Sequence, residues 1–145
     1  MTANVDNRFE QSVGTDNKLV LNGSVETAAG ANLKTKLVTV AIGDVSTAGS
    51  VWCVPGVAGT IVAISNVIDT TITTGNAGLT FEIGGTAVTG AAITIAFSGS
   101  VPGTVDQSTP SALNVITAAE AIEIVKDGGS TVASQGVVTL EILPS

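Results

Sequence analysis

The sequence contains no histidine, no tyrosine and a single cysteine. Without histidine, the chain cannot form a Ser-His-Asp triad, a Cys-His dyad or an imidazole metal site. One cysteine can form neither a disulfide within the chain nor a cysteine-based zinc site. These absences argue against most enzymes. We expect a protein without catalytic activity, bound metal or cofactor.

Charges and long hydrophobic runs are also scarce. Only 12% of the residues are charged, against about 25% in an average soluble domain. No apolar run approaches the roughly 20 residues of a membrane helix, and the opening MTANVDNRFE lacks the apolar core of a secretory signal. A mean hydropathy of +0.52 without a membrane span predicts that apolar surface is buried against other protein. We therefore expect an assembly component made in a reducing cytoplasm, with no membrane partner.

β-branched residues and glycine are abundant instead. The 145 residues include 20 Val, 12 Ile, 20 Thr and 17 Gly, and branched side chains fit a pleated strand better than a helix. From residue 36 onward, apolar and polar residues alternate with period 2 in about eight segments that end at turn-forming residues. This pattern predicts an all-β fold over residues 36–145, an antiparallel β-sandwich or jelly-roll-like barrel.

The same alternation predicts which side chains are buried. The residues expected in the core are Leu79, Phe81, Ile83, Ile93, Ile95, Phe97, Ile122, Ile124, Val138, Leu140 and Ile142. Thr80, Glu82 and Glu141 occupy the opposite positions and should face solvent or a neighbouring subunit. The glycine-rich pieces 56–59, 75–78 and 127–130 are predicted as hairpin turns. Residues 111–120 contain a capping-box pattern, TAAE, and are predicted to form one helical turn at most.

Basic residues are concentrated near the start of the chain. Residues 1–36 hold four of the five basic side chains and are neutral overall, whereas residues 37–145 carry a net charge of −7. We therefore predict an N-terminal arm, residues 1–35, in which Asn22-Gly23 suits the two-residue turn of a β-hairpin. The arm is either a solvated tail or a segment that docks on an acidic partner. In the second interpretation the candidate contact residues are Arg8, Lys18, Lys34 and Lys36. Nucleic acid is not an expected partner, because the remainder has one basic residue.

Few other side chains suggest a site. Trp52 is interpreted as an anchor of the core or of an interface, and the adjacent Cys53 as a small buried hydrophobe. The pairs Glu82 with Glu141 and Glu120 with Glu123 have the residue types of a glycosidase, but such pairs arise by chance in an acidic sandwich. The glycine-rich turns lack the sequence context of a phosphate-binding loop, and Asp127 lacks the further ligands of a calcium loop.

Several motifs together resemble the small β-sandwich decoration proteins of tailed bacteriophage capsids. They are GVAGTIV at 56–62, LTFEIGGTAV at 79–88, ITI at 93–95, VPGTV at 101–105 and IEIVKDGG at 122–129. The resemblance covers about three quarters of the chain. It implies a non-catalytic cement protein on the outer surface of the virion, often a homotrimer, whose partners are the major capsid protein and itself. The residues Arg8, Lys18, Lys34 and Lys36 would then be capsid contacts.

A second function class is compatible with the same sequence. A host-surface or carbohydrate-binding module of a phage fibre can be built on a similar β-scaffold. Such a module should display exposed aromatic side chains, and the chain has only three Phe and one Trp. The exposure of these aromatics therefore distinguishes the two hypotheses.

Overall fold

The computed structural model describes residues 18–21, 24–27 and 34–145. Its first two strands, β1 (Lys18–Leu21) and β2 (Ser24–Thr27), form a separate two-stranded antiparallel sheet. Leu21 pairs with Ser24, so the connection has two residues. The predicted hairpin is thereby confirmed, although Asn22 and Gly23 themselves lie outside the described residues.

Ten further strands follow, and none of the described residues forms a helix. The strands are β3 (Lys36–Asp44), β4 (Gly49–Cys53), β5 (Gly59–Ile68), β6 (Ala77–Ile83), β7 (Thr86–Ala87), β8 (Ile93–Ile95), β9 (Asp106–Ser108), β10 (Val115–Ile116), β11 (Ile122–Lys126) and β12 (Gln135–Pro144). Every pairing is antiparallel. Over the described ranges, no helix is long and apolar enough to cross a membrane.

These strands form two sheets. The first sheet has the order β10-β5-β12-β3, with β9 beside β5, and the second has the order β4-β11-β6-β7, with β8 beside β6. Four of the pairings are nested along the chain. The outermost is β3·β12, followed inward by β4·β11, β5·β10 and the hairpin β6·β7. A ribbon paired in this way and wrapped into two facing sheets is a jelly roll. The predicted all-β sandwich is therefore confirmed.

The core lies between the two sheets and follows the predicted alternation. Along β6 and β11, every second residue is buried, as at Phe81 and Ile124, which are 1% and 0% exposed. The predicted core residues are buried with one exception, Phe97, which is 48% exposed. Strand β8 ends at Ile95, and the amides of Gly99 and Ser100 both donate to the Ala96 carbonyl. Phe97 therefore lies in a turn and not in the strand, and the prediction for that residue is wrong.

The residues predicted to point outward do so. Thr80 is exposed, and Glu82 and Glu141 are half-buried on the outer faces of their sheets. Glu82 and Glu141 form no carboxylate pair, as expected, because Glu82 belongs to the second sheet and Glu141 to the first.

The glycine-rich pieces are not hairpin turns. Residues 56–59, 75–78 and 127–130 each lie where the chain passes from one sheet to the other. Two of these crossings touch: a methyl group on Gly75 would lie 2.4 Å from the Gly129 carbonyl oxygen. Asp127 Oδ1 ties the same crossings together by accepting the amide protons of Gly78 and Gly129, both at 2.8 Å. Local glycine content identified the breaks but not which sheet the next strand joins.

The predicted helical turn reduces to a single hydrogen-bonded turn. The Glu120 amide donates to the Thr117 carbonyl at 3.3 Å, and Glu120 Oε2 accepts the Thr117 amide proton at 3.1 Å. This is the carboxylate half of a capping box, without a helix behind it. Strand β10 occupies the middle of the segment instead.

Candidate interaction surfaces

The outer face of the first sheet is almost free of charge. It consists of Leu37, Thr39, Ala41, Thr60, Ala63, Ser65, Val67, Gln107, Val115, Val137, Thr139, Glu141 and Leu143, as the strand registers place them. We call this set the first-sheet face. Its charged member is Glu141, which lies between Leu37 and Ala63. A second carboxylate, that of Asp44, lies at the end of β3 opposite the exposed Gln135. Leu37 and Val115 are among its most exposed members, at 67% and 68%. A broad apolar and hydroxyl-bearing face of this kind is typical of a protein contact.

The outer face of the second sheet is acidic by contrast. Glu123 lies opposite Glu82 on one side and opposite Trp52 on the other. Like charges directly opposite each other on a sheet are destabilising. The two outer faces of the sandwich are therefore chemically different. Contact between two copies through the second-sheet face would bring several carboxylates together, whereas contact through the first-sheet face would not.

Trp52 does not belong to the core. In β4, alternation turns Val51 and Cys53 toward the core and leaves Trp52 61% exposed, beside Glu123. The core interpretation of Trp52 is wrong, and its role in an interface stays a prediction. Cys53 is half-buried and packs against the core, and this burial raises the pKa of its thiol. A raised pKa keeps the thiol protonated and weakly reactive.

The predicted basic contact residues are described only in part. Arg8 lies outside the described residues, and Lys18 belongs to β1, whose side chains are not described. Lys34 and Lys36 are exposed where the chain enters β3, the edge strand of the first sheet. The register places Lys36 opposite the buried Ile142, on the inward side of β3, and not on the first-sheet face. Trp52 stands on the other sheet.

Lys126 has a role that the sequence did not reveal. It is buried, and its Nζ donates to the Asp44 carbonyl oxygen at 2.8 Å. Asp44 in turn accepts the Ser46 and Ser134 amide protons, and these hydrogen bonds, the one from Ser46 foremost, lower the pKa of its carboxyl group. Lys126 therefore holds two crossings of the sandwich together and is not a surface cation. No local pattern around Lys126 indicated this.

An apolar depression lies where the edges of the two sheets meet. It has a volume of about 400 Å³ and is lined by Ile83, Thr86, Leu113 and Val115. Leu113 is 60% exposed and has a φ of 56°, in the left-handed region that leucine rarely adopts. Its neighbours hold it there: the Ala112 carbonyl accepts the Thr89 amide proton, and Asn114 Nδ2 donates to the Ile61 carbonyl. No local sequence pattern indicated this projecting leucine.

Acidic groups do not gather into a site in the described part of the chain. No group of three or more carboxylate or thiol side chains there is arranged to hold a metal ion. Glu120 is engaged with the Thr117 amide, and Glu123 faces Glu82 across the sheet. The surfaces above are therefore the strongest candidates for function.

Comparisons with known proteins give a structural likeness but no family. No protein-family model matches the chain, and no curated protein is similar to it. Among solved structures, it is similar to a chain from the structure of infectious bursal disease virus, Gx strain, with 20% identity and a TM-score of 0.31. The alignment covers 76% of this chain and 32% of that one, so this chain spans about a third of the viral chain. The jelly-roll assignment rests on the strand order described above.

Proposed function

We propose that this chain is a non-enzymatic structural protein that forms a homotrimer. The trimer binds the outer surface of a phage capsid and stabilises the capsid. The observation that carries the proposal is the first-sheet face, with one carboxylate among its members and apolar side chains exposed on β3, β10 and β12. A cement protein needs a large surface whose burial against other protein is energetically favourable. The motifs that resemble capsid decoration proteins point to the same role.

The N-terminal residues contribute the second part of the proposal. Lys34 and Lys36 are exposed at the start of the edge strand β3, and the preceding residues 1–33 contain Arg8 and Lys18. An extended chain spans about 3.3 Å per residue, so an arm of residues 1–35 is long enough to bridge neighbouring capsomers. Basic side chains on it would complement an acidic shell and set the register of docking.

Co-sedimentation with undecorated phage heads tests the proposal. We expect the full chain to pellet with heads in a saturable manner, and Lys34→Glu with Lys36→Glu to weaken this binding. Thr80→Asp, on the second sheet, is the matched control and should bind as the unaltered chain does. A chain that begins at Leu37 should fold and assemble but bind heads weakly. Full affinity of that shortened chain would place the contact on the sandwich alone, and no binding by the full chain would refute a capsid role.

A carbohydrate- or host-surface-binding module is the second candidate, and one observation favours it. Trp52 stands 61% exposed opposite Glu123, and Phe97 is 48% exposed. An aromatic ring beside a carboxylate can stack on a sugar while the carboxylate accepts a hydroxyl proton. A glycan array with Trp52→Ala as control tests this alternative. Binding that disappears in the variant would favour the module over the cement protein.

A further inference from the structure

A polar pair lies inside the otherwise apolar sandwich. Asn66 of β5 is 1% exposed and sits directly opposite Asp106 of β9, with both residues at inward positions. Three of their side-chain atoms are buried and have no hydrogen-bond partner among the described residues: Asn66 Nδ2, Asn66 Oδ1 and Asp106 Oδ2. A buried polar atom without a partner destabilises the folded protein. Three such atoms on two facing residues therefore indicate a shared ligand.

The neighbouring residues hold this pair in place. Asp106 Oδ1 already accepts the Ser100 hydroxyl at 3.0 Å, and Ser100 Oγ accepts the Ala96 amide proton at 3.0 Å. On the other side, Gly136 has no side chain, and a methyl group there would lie 3.3 Å from Asn66 Oδ1. These contacts fix the Asp106 carboxylate and leave its second oxygen free to bind.

The chemistry of the three atoms defines the ligand. A carboxylate oxygen and an amide oxygen accept protons, while the amide nitrogen donates them. Turning the amide by 180° exchanges its two atoms but leaves one donor and two acceptors. A metal cation cannot accept a hydrogen bond from the amide nitrogen, and an anion cannot donate one to the two oxygens. A water molecule donates twice and accepts, so it matches all three atoms.

We propose that a structural water molecule binds between Asn66 and Asp106 and bridges β5 to β9. This water completes the hydrogen-bond chain from Ala96 through Ser100 and Asp106 to Asn66. It thereby fixes the base of the connection from β8 to β9, which carries the exposed side chains Phe97, Val101 and Val105. The inference does not depend on the proposed function.

A high-resolution crystal structure of the full chain is the direct test. We expect a solvent peak about 2.7–3.2 Å from each of the three atoms. A direct bond between Asn66 Nδ2 and Asp106 Oδ2, without such a peak, would overturn the proposal. So would a peak with shorter contacts to the two oxygens and the amide nitrogen turned away, which would identify a cation.

Thermal unfolding of variants separates a bound water from a dry pair without a direct hydrogen bond, because the two cases shift the midpoint in opposite directions; the crystal structure excludes the direct bond. If water is bound, Asn66→Leu should lower the unfolding midpoint by several degrees, because it removes two of the three partners and strands Asp106 Oδ2. If the pair is dry, Asn66→Leu should raise the midpoint, because it removes two unsatisfied groups. The outward-facing neighbour Gln107→Leu is the control and should shift the midpoint little.

Discussion

At the scale of single residues, burial separates two chemically identical side chains. Phe81 is 1% exposed in the centre of the second sheet, and Phe97 is 48% exposed after β8 has ended. Side-chain burial, and not residue type, determines what each contributes to stability. The two phenylalanines therefore form a matched pair for measuring the core.

We expect Phe81→Ala to lower the free energy of unfolding by about 3–5 kcal/mol, because it leaves a cavity in a packed core. Phe97→Ala should cost clearly less than Phe81→Ala, because about half of the Phe97 residue is already exposed to water. Denaturant titration of both variants measures the difference. Equal losses in the two would mean that Phe97 is covered by another subunit or that β6 has a different register.

Two aspartates make the free energy of unfolding depend on pH in the acidic range. The pKa of Asp69 is lowered chiefly by the Gln135 amide, which donates to Oδ1 at 2.8 Å, and that of Asp44 chiefly by the Ser46 amide. Both groups have folded pKa values below their unfolded ones. Their stabilising contribution is therefore complete above the unfolded pKa, near 4, and is lost as the pH falls through the folded values.

We therefore expect the unfolding midpoint to fall as the pH drops from about 5 toward 2. In the double variant Asp44→Asn, Asp69→Asn this decline should be shallower, because the amides do not titrate. Melting curves over that pH range measure the two slopes. Parallel declines would show that other carboxylates govern the acid sensitivity.

At the scale of elements, the crossings between the sheets carry constraints that the strands do not. Gly128 has a φ of +68°, and a methyl group there would lie 2.5 Å from the Ala48 backbone nitrogen. Gly85, in the hairpin between β6 and β7, has a φ of +76° but has nothing within 4 Å of such a methyl group. The first glycine is required by conformation and close packing, and the second by conformation alone.

We expect Gly85→Ala to cost about 1–2 kcal/mol, the strain of a left-handed backbone. Gly128→Ala should cost clearly more, because the Ala48 backbone must also move. Thermal melts of both variants compare the two costs directly. A Gly128→Ala protein as stable as Gly85→Ala would mean that the crossings are loosely packed.

Prediction from the sequence succeeded within elements and failed between them. Alternation identified the buried faces of β6, β8, β11 and β12, and Asn22-Gly23 identified the hairpin of β1 and β2. The inward Lys126, the outward Trp52 and the strained Leu113 were missed, because each depends on a partner distant in sequence. The composition of the first-sheet face could likewise not be predicted, because it depends on which strands lie side by side and in which register.

At the scale of the whole molecule, the difference between the two outer faces predicts how copies meet. The chain carries a net charge of −7, and the second sheet presents Glu82 and Glu123 together. Contact through the first-sheet face avoids this repulsion and covers exposed apolar side chains. A closed ring of copies would do so without forming fibres.

We expect mass photometry to show a species of about three times the 14.3 kDa chain mass. Val115→Asp, on the first-sheet face, should shift the population toward monomer, because it places a charge in the contact. Thr80→Asp is exposed on the second sheet and should leave the trimer intact. A monomeric unaltered chain, or equal effects of the two variants, would contradict assembly through this face.

The nested pairing of strands determines when the chain can fold during its synthesis. The central strands of the two sheets, β12 and β11, come last in the described chain, and β3 and β4 pair only with them among the described strands. While a ribosome is still translating residues 34–121, neither sheet can close, and only the short pairs around β5 and β6 can form. Folding must therefore wait until residue 144 has left the exit tunnel, and the apolar strands made first stay exposed to the cell until then.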